Sequence, residues 1–150
     1  MKIVVITGEE SGDHLGASLL IALEKIYDQK LDVYGIGGRA LEERGLKKFY
    51  DISEINVMGI VEVIPKIFHI KKIINNTVNK ILEINPDIVL TIDSPDFTLR
   101  IAKKLKKKNS NLKIIHFVAP SVWIWRSGRI KTVKESVDHL LTILPFEKEI

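Results

Sequence analysis

VVITGEESGDHLGASLL, residues 4–20, begins as an apolar β-branched run and ends with leucines at helical spacing. Between the two lies a cramped acidic turn, Gly8-Glu9-Glu10-Ser11-Gly12-Asp13. The rest of the chain alternates the same two periods. KIVVIT (2–7), DVYGI (32–36), DIVLTI (87–92), KIIHFV (113–118) and HLLTIL (139–144) are short, near-continuous apolar runs, as parallel strands buried on both faces require. Leu15, Leu19, Leu23 and Ile26 mark one face of a helix opened by Ser11 or Asp13 as N-cap. Ile67, Ile70, Ile74, Val78 and Ile81 mark a longer helix. Strand and helix in alternation predict an α/β fold, a doubly wound, mostly parallel sheet with right-handed crossovers.

The chain has 150 residues, of which 45% are hydrophobic, enough to bury a core. Cysteine is absent, so disulfides and thiolate metal sites are excluded, which suits a reducing cytosol. Any metal ligation falls to His and carboxylates. Met1-Lys2 leads straight into a strand without the apolar stretch of a signal peptide, and no apolar run reaches the roughly 18 residues of a spanning helix. A soluble or surface-attached protein is therefore expected. The formal charge of +4 permits an anionic partner without choosing among phosphate, nucleic acid and acidic lipid. LPFEKEI, at residues 144–150, reads as the start of a further helix, so a C-terminal partner domain is expected beyond it.

In a doubly wound sheet, ligands bind outside the carboxyl ends of the strands. Gly8 and Gly12 let the backbone turn sharply and a ligand approach the helix N-terminus. The spacing is not the dinucleotide fingerprint G-x-G-x-x-G, and Glu9, Glu10 and Asp13 would repel a pyrophosphate. Acidic acceptors suit sugar hydroxyls; alternatively, Ser11 and Asp13 simply cap the helix. In TIDSPDF (91–97), Asp93 follows a buried strand and is placed either to take a proton from an attacking hydroxyl or to serve as a turn acceptor. Asp96 is the expected N-cap of the helix FTLRIAKKLKKK, with Pro95 holding the backbone out of the helix before it. FVAPSVWIWRSGR (117–129) offers Trp123 and Trp125 as stacking faces or core, and Arg126 and Arg129 as phosphate donors or solvated residues of a helix start.

Segment 57–74 interleaves Lys66, His69, Lys71 and Lys72 with Ile and Phe, and fits either a membrane-surface helix or a core helix with outward lysines. Lys103–Lys108 reads as a solvated helix C-terminus. Nucleic-acid binding is not expected there, because no aromatics interleave with the lysines.

Taken in order, GEESGDHLGA, YGIGG, INVMGIVEV, NPDIVLTIDSPDF, HFVAPSVWIWRSGRI and ILPFEKE resemble the lipid-A-disaccharide synthases, bacterial glycosyltransferases, across essentially the whole chain. The resemblance implies a Rossmann-like N-terminal domain of a two-domain GT-B glycosyltransferase, here residues 1–150, with the C-terminal nucleotide-sugar domain absent. It implies inverting transfer from UDP-2,3-diacylglucosamine to 2,3-diacylglucosamine 1-phosphate, giving the lipid A disaccharide 1-phosphate and UDP. Asp93 then becomes the candidate base and Glu9 a supporting carboxylate. Gly8, Ser11, Gly12, Asp13, Met58, Glu62, Ser121, Trp123, Arg126 and Arg129 become candidate substrate-binding residues. No metal or cofactor is implied. A cytoplasmic enzyme on the inner membrane of a Gram-negative bacterium is expected, attached through 57–74, as an oligomer or with a complementing C-terminal chain. Two other readings are a non-catalytic lipid-binding fragment and half of a dehydrogenase, the latter disfavoured by the missing G-x-G-x-x-G.

Overall fold

A computed structural model of the protein describes residues 1–55, 63–118 and 127–143, with the backbone alone for 63–66 and 127–129. Six strands, β1 (Lys2–Thr7), β2 (Asp32–Gly37), β3 (Lys47–Asp51), β4 (Ile88–Ile92), β5 (Ile114–Phe117) and β6 (His139–Leu141), form one sheet in the order β3-β2-β1-β4-β5-β6. Every pairing among them is parallel. The strand order reverses at β1 and β4, and a Rossmann-like sheet opens a crevice at that switch point.

Alternate residues of each strand feed two cores. Val4, Ile6, Val89 and Ile114 face α3 (Val63–Ile84) and α4 (Pro95–Lys108), which bring Ile74, Val78, Ile81, Ile101 and Leu105. Ile3, Val5, Leu90 and Ile92 face α1 (Glu10–Tyr27) and α2 (Arg39–Glu42), which bring Ala17, Leu20 and Leu41. A further helix, α5 (Ser127–Ser136), lies against α4.

Several expectations need correction. The α1 helix begins at Glu10 with Glu9 at the N-cap position, so neither Ser11 nor Asp13 caps it. Its buried stripe is Gly12, Asp13, Gly16, Ala17 and Leu20, while Leu15, Leu19 and Leu23 flank the core and Ile26 is 76% exposed. The small residues form the stripe because α1 crosses its strands closely: a Cβ on Gly16 would stand 2.9 Å from Ile92 Cδ1. The α4 helix starts at Pro95, with Ser94 as N-cap, so Asp96 is already inside the first turn. Proline suits that first position, where its missing N–H has no helical partner to lose. Strand β3, KKFYD, was not expected; it is an edge strand whose two leading lysines are exposed.

Candidate functional site

The turn after β1 is pinned by Thr7, whose hydroxyl donates to the Glu9 carbonyl at 3.1 Å and accepts from the Glu9 N–H at 3.4 Å. Glu9, Glu10 and Ser11 are exposed, whereas Gly8, Gly12 and Asp13 are buried. No side chain caps the start of α1.

The turn after β4 lies directly against it. A Cβ on Gly8 would stand 2.8 Å from Ser94 Oγ and 2.9 Å from Ser94 Cβ, so only glycine lets the two turns touch without displacement. Asp93 and Ser94 both take positive φ, 48° and 42°, an uncommon conformation for consecutive non-glycine residues. Their neighbours hold it. The Asp93 N–H donates to the Phe117 carbonyl at 3.0 Å, Asp93 Oδ1 accepts from the Ser94 N–H at 2.8 Å, and the Thr98 hydroxyl donates to the Asp93 carbonyl at 2.7 Å. Strained backbone of this kind is concentrated at working sites and persists only where the surroundings over-determine it. The turn after β5 adds a third example, since Val118 has a φ of 75° although its side chain is β-branched.

Asp13 does not face this crevice. Its carboxylate, 2% exposed, accepts from the backbone N–H groups of Gly38, Ala40 and Leu41 at 2.7, 2.8 and 3.3 Å. The four-residue α2 has glycine at its N-cap position, which carries no capping side chain, and Asp13 caps it from across the fold. A Cβ on Gly38 would stand 2.9 Å from Asp13 Oδ2, so the cap also requires the glycine. Beside it a cavity of about 420 Å³, lined by Glu10, His14, Arg39 and Arg44 among others, separates α1 from α2. Sequence reasoning missed that cavity, because its walls come from segments some 25 residues apart whose charges look like ordinary surface.

His116 was also missed. It is fully buried on β5, opposite Thr91 in the register, with Nδ1 2.8 Å from the Thr91 hydroxyl. Nε2 finds no partner among the described residues, and the same holds for the buried Ser94 hydroxyl. Burial pushes the imidazole pKa down to about 4, against a smaller opposing pull from the Asp93 charge. Because the folded value lies below the ordinary 6.5, the unfolded chain binds the extra proton between those limits. Stability should therefore fall as pH drops from about 6.5 toward 4. NMR of the His116 ring nitrogens is expected to show a neutral imidazole at pH 5.5; a midpoint near 6.5 would contradict this environment.

The structure thus sets the Gly8–Glu9 turn against Ser94, the neighbour of Asp93, at the switch point, with Ser11 and Gly12 following in the first turn of α1, and turns Asp13 toward α2. Arg129 falls in the first turn of α5, with its side chain outside the description. Met58, Glu62, Ser121, Trp123 and Arg126 lie outside the described residues. Among the described residues, no helix is long and apolar enough to cross a membrane, and no group of three or more His, Cys, Asp or Glu side chains is arranged to hold a metal ion.

Curated relatives share the chain's sequence, and solved structures share its fold. The chain is 45% identical over 148 residues to the lipid-A-disaccharide synthase of Ruegeria pomeroyi, covering 98% of this chain and 36% of that protein. It is 48% identical over 147 residues to the lipid-A-disaccharide synthase of Rickettsia bellii, covering 97% of this chain and 38% of that one. The chain therefore spans well under half the length of these relatives. Among solved structures, the UDP-GlcNAc 2-epimerase of Neisseria meningitidis, bound to UDP-GlcNAc, superposes with a TM-score of 0.59 at 18% identity, over 94% of this chain and 40% of that one. That likeness concerns the fold alone. The description "Lipid-A-disaccharide synthetase" belongs to the family that matches residues 3–150, and the chain is a member of that family.

Proposed function

We propose that the chain is the acceptor-side domain of an inverting glycosyltransferase of lipid A biosynthesis. It would condense UDP-2,3-diacylglucosamine with 2,3-diacylglucosamine 1-phosphate. The observation that carries this reading is the direct contact of the Gly8–Glu9 turn with the Asp93–Ser94 turn at the switch point. It stands in a chain whose relatives are named for this synthesis.

In the proposed step, the Asp93 carboxylate takes the proton of the acceptor 6-hydroxyl as that oxygen bonds to the anomeric carbon of the donor. The anomeric C–O bond to UDP breaks on the opposite face, UDP leaves with the electron pair, and the new linkage is β. Glu9, exposed beside Asp93's turn, accepts hydrogen bonds from acceptor hydroxyls, and the backbone at Ser11 and Gly12 lines the approach. Arg126 and Arg129 are assigned to the acceptor phosphate, and Met58, Glu62, Ser121 and Trp123 to substrate contacts. Asp13 is reassigned from substrate contact to bracing the α1–α2 wall. The step needs no metal or cofactor. The UDP-sugar pocket would come from the remainder of the family's length, or from a partner chain.

Both substrates carry acyl chains, so the site is expected to work at the cytoplasmic face of the inner membrane. Ile67 and Phe68 support this, being 48% and 66% exposed near the start of α3. Replacing both with serine should weaken association with lipid vesicles while leaving the unfolding midpoint unchanged; loss of folding would instead assign them to the core.

Mass spectrometry of the purified chain incubated with both substrates tests the transfer. Disaccharide and UDP in equal amounts support it. A folded chain that binds the acceptor, forms no product alone and forms it once the remainder of the family's length is supplied also supports it; no product even then supports the second reading, a lipid-binding fragment without a UDP-sugar site.

A further inference from the structure

The run Lys103–Lys108, which reads in the sequence as a solvated helix end, is not simply that. Arg100, Lys103, Lys104 and Lys107 follow one another at i, i+3, i+4 and i+7, so they share one face of α4. That face meets Lys71 of α3 across a groove of about 410 Å³ floored by the buried Ile74. No carboxylate lines the groove among the described residues. Glu135 of α5 stands 3.7 Å from Lys103 at its rim. Five cations on facing walls repel one another, and an anion set between them relieves that repulsion.

The groove has a direction. All the strands are parallel and the helices return against them, so the N-terminal ends of α3 and α4 lie at the same sheet edge as the Asp93 turn. The exposed Ile67 and Phe68 sit at that end, one turn before Lys71, whose ammonium lies 5.8 Å from the Phe68 ring centroid. From there the cations of α4 extend about 10 Å away from the edge, from Arg100 to Lys107. An apolar pair with cations ranked behind it matches a bilayer boundary, with apolar tips among acyl chains and ammonium groups among phosphates.

We propose that the α3–α4 groove binds the phosphate groups of anionic lipids in a bilayer, docking the chain with its switch-point edge toward the membrane. The proposal deepens the membrane reading above and rests on it. A single inorganic phosphate is too small to engage cations spread over two turns of helix. A single-stranded nucleic acid would call for successive stacking faces, whereas this groove has one aromatic at its end.

Co-sedimentation with phosphatidylcholine vesicles, with and without phosphatidylglycerol, tests the proposal in the absence of sugar substrates. The wild-type chain is expected to prefer the anionic vesicles, and added salt should reduce the preference. Arg100→Gln with Lys104→Gln should weaken binding to anionic vesicles about thirty-fold, two cations at about 1 kcal/mol each, with little change on neutral vesicles. Both positions are exposed, so an unchanged far-UV spectrum and unfolding midpoint are expected and verify the fold. Equal binding of variant and wild type to anionic vesicles would overturn the proposal. So would inorganic phosphate shifting the α4 amide resonances in a chain that shows no preference for anionic vesicles, which would indicate a free-phosphate site. Single-stranded RNA bound in preference to anionic vesicles would also overturn it. Because no transfer is measured, failure of the glycosyltransferase reading leaves this result untouched, and the converse holds.

Discussion

Asp13→Ala is expected to lower the unfolding free energy by about 3–5 kcal/mol, because it strips three backbone donors at the start of α2 of their only acceptor among the described residues. Each buried N–H left without a partner costs about 1–3 kcal/mol, and entry of water at the partly buried Ala40 trims the sum. Asp13→Asn should cost less, since its amide oxygen still accepts from one side of the turn, while its NH₂ confronts the N–H on the other. Urea unfolding with an unchanged m-value measures the difference directly. A loss below about 1 kcal/mol for the alanine variant would mean that α2 is capped some other way. Ser11→Ala, at an exposed neighbouring position without a capping bond, should stay within about 0.5 kcal/mol and serves as the control.

Asp93→Asn is expected to lower turnover by about 10²–10⁴ in whichever assembly transfers the sugar, this chain alone or this chain with its C-terminal complement. The amide keeps an oxygen for the Ser94 N–H, now at 2.8 Å, and tolerates positive φ, so the turn should survive while the proton acceptor is lost. Acceptor affinity should therefore change little as kcat falls. A parallel loss of affinity and stability would instead make Asp93 a turn residue. Near-normal turnover would remove it from the role of base.

Four strands of the parallel sheet were legible from their apolar runs: Lys2–Thr7 matches residue for residue, and β2, β4 and β5 differ from expectation by one residue at one or both ends, whereas β6 keeps only His139–Leu141 of the expected 139–144 and is exposed at all three positions. Strand β3 was not legible, since KKFYD carries its lysines where an edge strand meets water and lacks the apolar signal of a buried one. The rule for doubly wound sheets put the turns after β1 and β4 at one end of the strands, and the two are in contact there. It could not reveal what Asp13 does, because the groups it caps lie 25 to 28 residues further along the chain. A short acidic side chain near a helix start looks the same whether it caps its own helix or another. His116 left one usable signal, a lone titratable residue inside an apolar strand. The lysines of α4 looked solvated because helical spacing alone cannot show which neighbour a face meets. Lys106 in fact pairs with Asp138 at 2.8 Å, and Lys108 donates to Asn79 at 3.1 Å.

In the proposed function, the crevice where the β1 and β4 turns touch receives the acceptor sugar. Amide chemical-shift mapping of the chain, titrated with a short-acyl 2,3-diacylglucosamine 1-phosphate, tests it most directly. Saturable shifts centred on Gly8, Glu9, Ser11, Gly12, Asp93 and Ser94 are expected, with Asp93→Asn retaining them. A folded chain whose shifts fall elsewhere, or that shows none at saturating acceptor, would contradict it.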